Sequence, residues 1–387
     1  ALQGIEDSWK HKDITLLHGV TGSGKTELYI HLIQSHLDLG KQVLLLIPEI
    51  ALTTQLINRL EKYFGKQIGV YHSKFNQNER VEIWQKVHAN HPEEFRVIIG
   101  ARSSVFLPFQ DLGLVIVDEE HESSYKQHDP SPRYHGRDAS IYLAKMFNAK
   151  VLLGSATPSL ESFQNTIDHK YGYVRLASRF GDLNMPEILI ANTQQETLSK
   201  SMTSHFSSLL IDHMTMALEN KEQVILFQNR RGYTPYWSCE ICGWIPKCHA
   251  CDVSLTYHKH INLLKCHYCG YTIEPMGSCG ACGSHKLKMQ GFGTEKIEDE
   301  LEKVFPEAKI ARMDLDTTRS KHAYAELITR FENREIDILI GTQMLSKGLD
   351  FDNVSLVGIL DADHLLNRPD FRAYERGFQL MTQVAGR

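Results

Sequence analysis

The chain has 387 residues, 42% hydrophobic and 23% charged, with 42 Lys/Arg against 47 Asp/Glu for a formal charge of −5. That length supports two to three domains, each able to bury a core, and excludes a peptide-sized or stapled scaffold. No run approaches the roughly 18 apolar residues of a membrane span, and the acidic balance gives no global attraction for nucleic acid, so any such binding must be local. The first residues, from Ala1 to Ile5, carry neither the basic nor the apolar region of a signal peptide, which points to the cytoplasm. The missing initiator Met points to a fragment or a processed chain.

From Ile14 to Thr157, short β-rich runs alternate with longer helix-compatible ones, the pattern of a parallel sheet covered by helices. The predicted strands are Ile14–His18, Val43–Ile47, Ile68–Tyr71, Val97–Ile99, Leu114–Val117 and Val151–Leu153. Glu27–Leu39 and Ala51–Phe64 have apolar residues at helical spacing and stop at Gly40 and Gly65. A polar segment, residues 178–200, reads as a linker between a first lobe (1–177) and a second (201–387). The second lobe starts at strand Val224–Phe227. It resumes with helix Glu295–Val304, strand Lys309–Met313, helix Ala323–Phe331, and strands Ile336–Ile340 and Val354–Leu360. Residues 234–290 interrupt it as a cysteine-rich insertion.

Gly19-Val20-Thr21-Gly22-Ser23-Gly24-Lys25-Thr26 follows the first strand and opens a helix, the context that a P-loop requires. Backbone N–H groups would close around phosphate oxygens at the positive end of the helix. Lys25 would reach the β- and γ-phosphates of ATP, and the Thr26 hydroxyl would ligate Mg2+. The strand Leu114–Val117 runs into Asp118-Glu119-Glu120-His121, at the strand end where parallel sheets bind ligands. Asp118 is placed to hold the Mg2+ shell and Glu119 to orient and deprotonate the attacking water. Gly154-Ser155-Ala156-Thr157-Pro158 closes the next strand with small hydroxyl residues, a weak signal by itself.

All eight cysteines lie between Cys239 and Cys282, as four C-x-x-C pairs: Cys239/Cys242, Cys248/Cys251, Cys266/Cys269 and Cys279/Cys282. In a reducing compartment this reads as metal ligation before disulfides. Each pair supplies two thiolates and tetrahedral Zn2+ takes four, so two Zn2+ use every cysteine. The pairs can combine sequentially, interleaved or nested. The gap of fourteen residues between Cys251 and Cys266 approximates a zinc-ribbon separation and favours the nested arrangement. His249, His267 and the other histidines of the segment are left as bystanders. From Asn229 to Gln290 there are seven Lys/Arg and three Asp/Glu, an excess that two Zn(Cys)4 centres of formal charge −2 each cancel. The insertion is therefore a neutral platform. Its aromatics (Tyr233, Tyr236, Trp237, Trp244, Tyr257, Tyr268, Tyr271) could stack bases, meet a partner or fill a small core.

In order, the P-loop, Ile47–Thr53 (IPEIALT), Gly100–Phe106 (GARSSVF), DEEH and GSATP resemble the first-lobe motifs of superfamily 2 helicases. Ile340–Phe351 (IGTQMLSKGLDF) resembles the fifth helicase motif and Gln383-Val384-Ala385-Gly386-Arg387 the start of the sixth. The eight-cysteine insertion directly after Asn229–Tyr233 (NRRGY) makes the chain similar to the PriA family of replication-restart helicases. The resemblance implies two RecA-like lobes, the nested zinc pairing, and contributions of Gln383, Arg387 and Asp350 to the ATP site. It also implies 3′ to 5′ translocation on single-stranded and forked DNA. The implied partners are single-strand-binding protein and the primosomal proteins that load the replicative helicase, with no membrane.

Between DEEH and GSATP, Tyr125, Lys126, Arg133, Tyr134 and Arg137 interleave aromatic and basic side chains in a way that suits a single strand. The segment resembles the aromatic-rich loop that couples DNA contact to ATP hydrolysis in PriA and RecQ-like helicases. The family's sixth motif continues to a second arginine, generally expected to act as the finger on the γ-phosphate. Such a finger is worth a factor of about 10³ to 10⁵ in other NTPases. The 387-residue chain by itself is accordingly expected to bind ATP and two Zn2+ but to turn over slowly.

Overall fold

Strands that are apolar at every position have to be covered on both faces, and helices placed between them in sequence supply that cover. The computed structural model describes residues 1–48, 54–72, 75–179, 186–228, 236–251, 253–258, 262–290, 294–313, 321–342, 351–367 and 370–386. The chain divides into two units, residues 1–185 and 186–385.

The first unit runs α1 (Leu2–Trp9), β1 (Ile14–Gly19), α2 (Lys25–Asp38), β2 (Gln42–Leu46), α3 (Thr54–Phe64), β3 (Ile68–Tyr71), α4 (Gln77–Ala89), β4 (Val97–Gly100), β5 (Leu112–Val117), α5 (Gly136–Met146), β6 (Lys150–Ser155), α6 (Leu160–Ile167) and β7 (Gly172–Leu176). Its strands form one parallel sheet in the order β3-β4-β2-β5-β6-β1-β7. The strand alternation divides the core in two. Val43, Leu45, Leu114, Ile116 and Leu152 pack on one face, and Leu44, Leu46, Val115, Val117 and Leu153 on the other. β6 lies between β5 and β1. The P-loop, the DEEH turn and the GSATP turn therefore leave adjacent strands at their carboxyl ends, where open α/β sheets bind ligands.

Each of the predicted first-lobe strands is present, with ends within two residues. The helix predicted from Ala51 begins at Thr54, residues 51–53 lying outside the described residues. α4 starts with a capping box of Asn76 and Glu79, a signal that is local in sequence.

The second unit runs α7 (Thr193–Ser199), α8 (Ser208–Glu219), β8 (Gln223–Gln228), the insertion, α9 (Thr294–Val304), β14 (Ile310–Met313), α10 (Lys321–Glu332), β15 (Ile338–Gly341), β16 (Val354–Leu360), α11 (Ala362–Leu366) and α12 (Ala373–Ala385). Strands β14-β15-β8-β16 form a parallel sheet. Within the insertion, β9 (Tyr236–Cys239) pairs antiparallel with β13 (Leu287–Gln290). Between them, β10 (Thr256–His258), β11 (Leu263–Lys265) and β12 (Thr272–Ile273) make a three-stranded meander. The segment read as a linker carries α7, capped by the Asn192 side chain on the Gln195 N–H. Its polar surface hid the helix, because a short exposed helix has no apolar stripe to reveal it.

No described helix is long and apolar enough to cross a membrane.

Candidate functional site

β1 ends at Gly19 and α2 begins at Lys25, so the P-loop spans the interval between a buried strand and a helix N-terminus. Gly24 caps α2 with φ of 82°, a left-handed conformation that only glycine adopts without strain. Within the loop the Lys25 ammonium donates to the carbonyls of Gly19 (2.8 Å) and Val20 (3.4 Å). The Ser23 hydroxyl is buried with no protein partner. Thr26 stands in the first turn of α2, next to Lys25. An unpartnered hydroxyl, an ammonium held at the loop and a helix N-terminus are a donor set that fits a polyphosphate.

β5 delivers Asp118, whose N–H donates to the Leu46 carbonyl of β2 at 2.9 Å. The Tyr29 hydroxyl donates to Asp118 Oδ1 at 2.8 Å and the Tyr125 hydroxyl to the Asp118 carbonyl at 2.7 Å. Burial first, and the charge of Glu119 second, push the Asp118 carboxyl up to about 6, while Lys25 and Tyr29 pull the other way. A carboxylate whose charge is that costly to bury fits a divalent cation, which would repay it.

Glu119 has φ of 47°. That left-handed residue turns the chain at the strand end, so the three consecutive carboxylates go to different places. Asp118 meets α2, the Glu119 side chain is 28% exposed, and Glu120 is fully buried. His121 Nδ1 lies 2.7 Å from Ser155 Oγ and 3.6 Å from Glu119 Oε2, and Ser155 Oγ accepts from the Thr157 N–H at 2.9 Å. The GSATP turn is thus wired to DEEH through His121.

Glu120 is the residue that sequence reasoning left without a role. Its carboxylate accepts from Arg137 Nη1 (2.8 Å), the Ser159 N–H (2.7 Å), and the hydroxyls of Ser159 (3.0 Å) and Ser162 (2.7 Å). One buried acid so joins the strand end to α5 and to the start of α6. Spacing could not signal this, because the partners come from two other segments, α5 and the start of α6.

Two of the residues expected to contact DNA are corrected here. Tyr125 is fully buried beneath Asp118, so no base can stack on it in this conformation. The Arg137 side chain, 11% exposed, is committed to Glu120 and Asp138 rather than offered to a phosphate. Lys126, Arg133 and Tyr134 lie at or near the surface. The Lys126 ammonium donates to the Arg133 carbonyl, and Arg102 sits over the half-buried Tyr134 ring at 5.7 Å. In the second unit, Gln383 is buried in α12. Asp350, Arg387, the 343–350 part of the fifth motif and residues 229–235 lie outside the described residues.

The cysteines gather into two sets of four, Cys239/Cys242/Cys279/Cys282 and Cys248/Cys251/Cys266/Cys269, their sulfurs all within 4.8 Å of one another. Pairs such as Cys239 and Cys282 (3.6 Å) or Cys248 and Cys269 (3.5 Å) stand near the roughly 3.8 Å that tetrahedral zinc with Zn–S of about 2.3 Å demands. The Ala281 and Cys282 N–H groups point at Cys279 Sγ (3.4 and 3.5 Å), which favours a thiolate there. The arrangement is the nested one, because the β9/β13 pair brings the first and last knuckles together around the meander. Of the aromatics, Trp237, Tyr257 and Tyr271 pack into the insertion's small core. Tyr268 is half exposed and its ring meets Phe371 edge-on at 6.3 Å.

Residues 3–166 match the DEAD/DEAH box helicase family, residues 248–273 the PriA DNA helicase Cys-rich region domain, and residues 290–387 the helicase conserved C-terminal domain. The Replication restart protein PriA of Bacillus subtilis (strain 168) is 45% identical over 98% of this chain. Over nearly its whole length the chain is thus similar to PriA proteins, and residues 248–273 match the model of their Cys-rich region. The Replication restart protein PriA of Rickettsia conorii is likewise 45% identical, over 96% of the chain. The chain spans about half the length of these PriA relatives, 47% of the first and 57% of the second. A solved structure of RecG bound to a three-way DNA junction covers 96% of the chain and 37% of its own, with a TM-score of 0.51 and 16% identity, a likeness of fold. The fold is accordingly two RecA-like lobes, the second carrying the two four-cysteine centres.

Proposed function

We propose that the chain is the motor portion of an ATP-dependent DNA helicase that acts at stalled or recombined replication forks in the cytoplasm. In this reading it moves 3′ to 5′ on single-stranded DNA. It works with single-strand-binding protein and with the primosomal proteins that load the replicative helicase. The observation that carries the reading is the convergence of the P-loop, DEEH and GSATP at adjacent strand ends, in a chain that also holds two four-cysteine centres.

The P-loop N–H groups, Lys25, Thr26 and Asp118 would hold ATP with Mg2+, whose γ-phosphoryl would pass to an attacking water as ADP leaves; Asp350, Gln383 and Arg387 are the further residues proposed for ATP use. Glu119 orients that water and takes its proton. Its side chain is 28% exposed and leaves the strand end through a left-handed turn, away from the buried cluster around Glu120. Glu120 and Arg137 keep the DEEH turn rigid, so that a shift at the GSATP turn reaches Glu119 through His121 and Ser155. Lys126, Arg133 and Tyr134 are the DNA contacts retained in this reading. Two Zn2+, held by the eight thiolates, give the insertion its fold.

The test compares Lys25→Ala with Glu119→Gln. The first is expected to lose ATP binding, and the second to bind ATP but lose hydrolysis and strand displacement on forked DNA. Equal loss of nucleotide affinity in both would overturn the assigned roles. DNA-stimulated hydrolysis without strand displacement would assign a remodelling translocase instead.

A further inference from the structure

Tyr29 stands one helical turn beyond Lys25 on α2, on the same face. It is 1% exposed, yet its hydroxyl donates to Asp118 Oδ1 at 2.8 Å. A buried hydroxyl that served only packing would be replaced by phenylalanine without loss, so its one partner defines what it is there for. A second observation comes from the far side. A Cβ on Gly154, the first residue of the GSATP segment, would stand 1.9 Å from the Tyr29 hydroxyl, 3.1 Å from its ring carbon Cζ and 3.6 Å from Asp118 Oδ1. The space that makes Gly154 a glycine is therefore filled by the Tyr29 hydroxyl. The backbone of Asp118 is fixed separately, through its N–H on Leu46 and its carbonyl on Tyr125.

We propose that Tyr29 is a positioning residue of the metal-nucleotide site. It ties down one oxygen of the Asp118 carboxylate, so that the other is presented to a divalent cation in a single orientation. The proposal rests on the nucleotide reading above. Groups that orient a metal-binding carboxylate typically contribute about 10- to 100-fold to metal affinity or activity. Tyr29 therefore acts on the gain in nucleotide affinity that Mg2+ brings, and not on binding of the nucleotide alone.

The experiment measures a fluorescent ATP analogue with Mg2+ and with EDTA, on the wild type, Tyr29→Phe, Gly154→Ala, the double variant and Lys25→Ala, with thermal unfolding of each. In Tyr29→Phe the Mg2+-dependent gain in affinity is expected to fall by about tenfold or more, while affinity in EDTA stays within about twofold of wild type. Hydrolysis should recover at raised Mg2+, which a merely destabilised protein would not show. Gly154→Ala should lower the unfolding temperature by displacing the hydroxyl. Adding Tyr29→Phe should restore the stability but not the Mg2+ gain. A wild-type Mg2+ gain in Tyr29→Phe, or in the double variant if the single one unfolds, would overturn the proposal. If the wild type binds no nucleotide, or Lys25→Ala binds as well as wild type, the phosphate-site reading fails and this proposal fails with it.

Discussion

The seven-stranded sheet of the first lobe and the four-knuckle insertion of the second hold their sites rigid by different means. The sheet buries Val43 to Leu46, Val97 to Ile99 and Leu114 to Val117 completely, on two faces, so its strand ends are fixed by the hydrophobic effect before any ligand arrives. Among the described residues, the buried cluster inside the insertion is Cys248, Val253, Leu255, Leu264 and Cys266, two of them metal-ligand candidates. So small a core cannot offset the conformational entropy of ordering its loops. A phosphate site on the sheet should therefore survive changes that dissolve the insertion, and damage to the sheet should leave zinc in place.

The largest effect that can break this contrast is on the metal. Structural zinc commonly brings about 10–16 kcal/mol of coupled folding energy, so Cys251→Ser should unfold the inner knuckles and lower zinc from two to about one per chain. ATP binding should persist, because the first lobe contains no cysteine. Metal content by atomic absorption checks the first outcome and nucleotide titration the second; a stoichiometry that stays at two sinks the ligand assignment.

The next effect sits in the sheet. Arg137→Ala leaves the Glu120 carboxylate fully buried without its cation. Breaking such a pair typically costs about 3–5 kcal/mol. Urea unfolding followed by first-lobe signals should report that loss with zinc content unchanged. A change under about 1 kcal/mol would mean that the two serines suffice for Glu120.

The smallest effect has the opposite sign. Folding raises the Asp118 carboxyl from 3.8 to about 6, by burial first and Glu119 second. The protonated form is thus the one the fold favours. Its contribution is complete below pH about 4 and is lost as pH rises through about 6. Asp118→Asn should stabilise the protein in EDTA at pH 7 by on the order of 3 kcal/mol, at about 1.4 kcal/mol per pKa unit. The gain should vanish near pH 4, and hydrolysis should be lost throughout. Denaturation curves at the two pH values decide it.

How far the site was legible follows the same division. Lys25, Thr26, Asp118 and Glu119 were readable because a loop between strand and helix, and a strand end, are local in sequence. Tyr125 and Arg137 were misassigned to DNA because composition cannot show which way a side chain turns, and both turn inward. Glu120 and Tyr29 carried a signal only in part. Tyr29 shares a helix face with Lys25, but its partner comes from β5, 89 residues further along the chain.

The sequence by itself determined the lobe class, the glycine-rich loop between strand and helix and the grouping of the eight cysteines into pairs, since periodicity, glycine placement and C-x-x-C spacing are short-range constraints. It left three pairings of the knuckles open and only favoured one. The tertiary structure decided among them, because β9 and β13 pair across the insertion and bring its first and last cysteines to one point. It likewise decided which of three adjacent acids is buried, because the left-handed turn at Glu119 and the arrival of α5 and α6 are consequences of packing that no neighbour in sequence dictates.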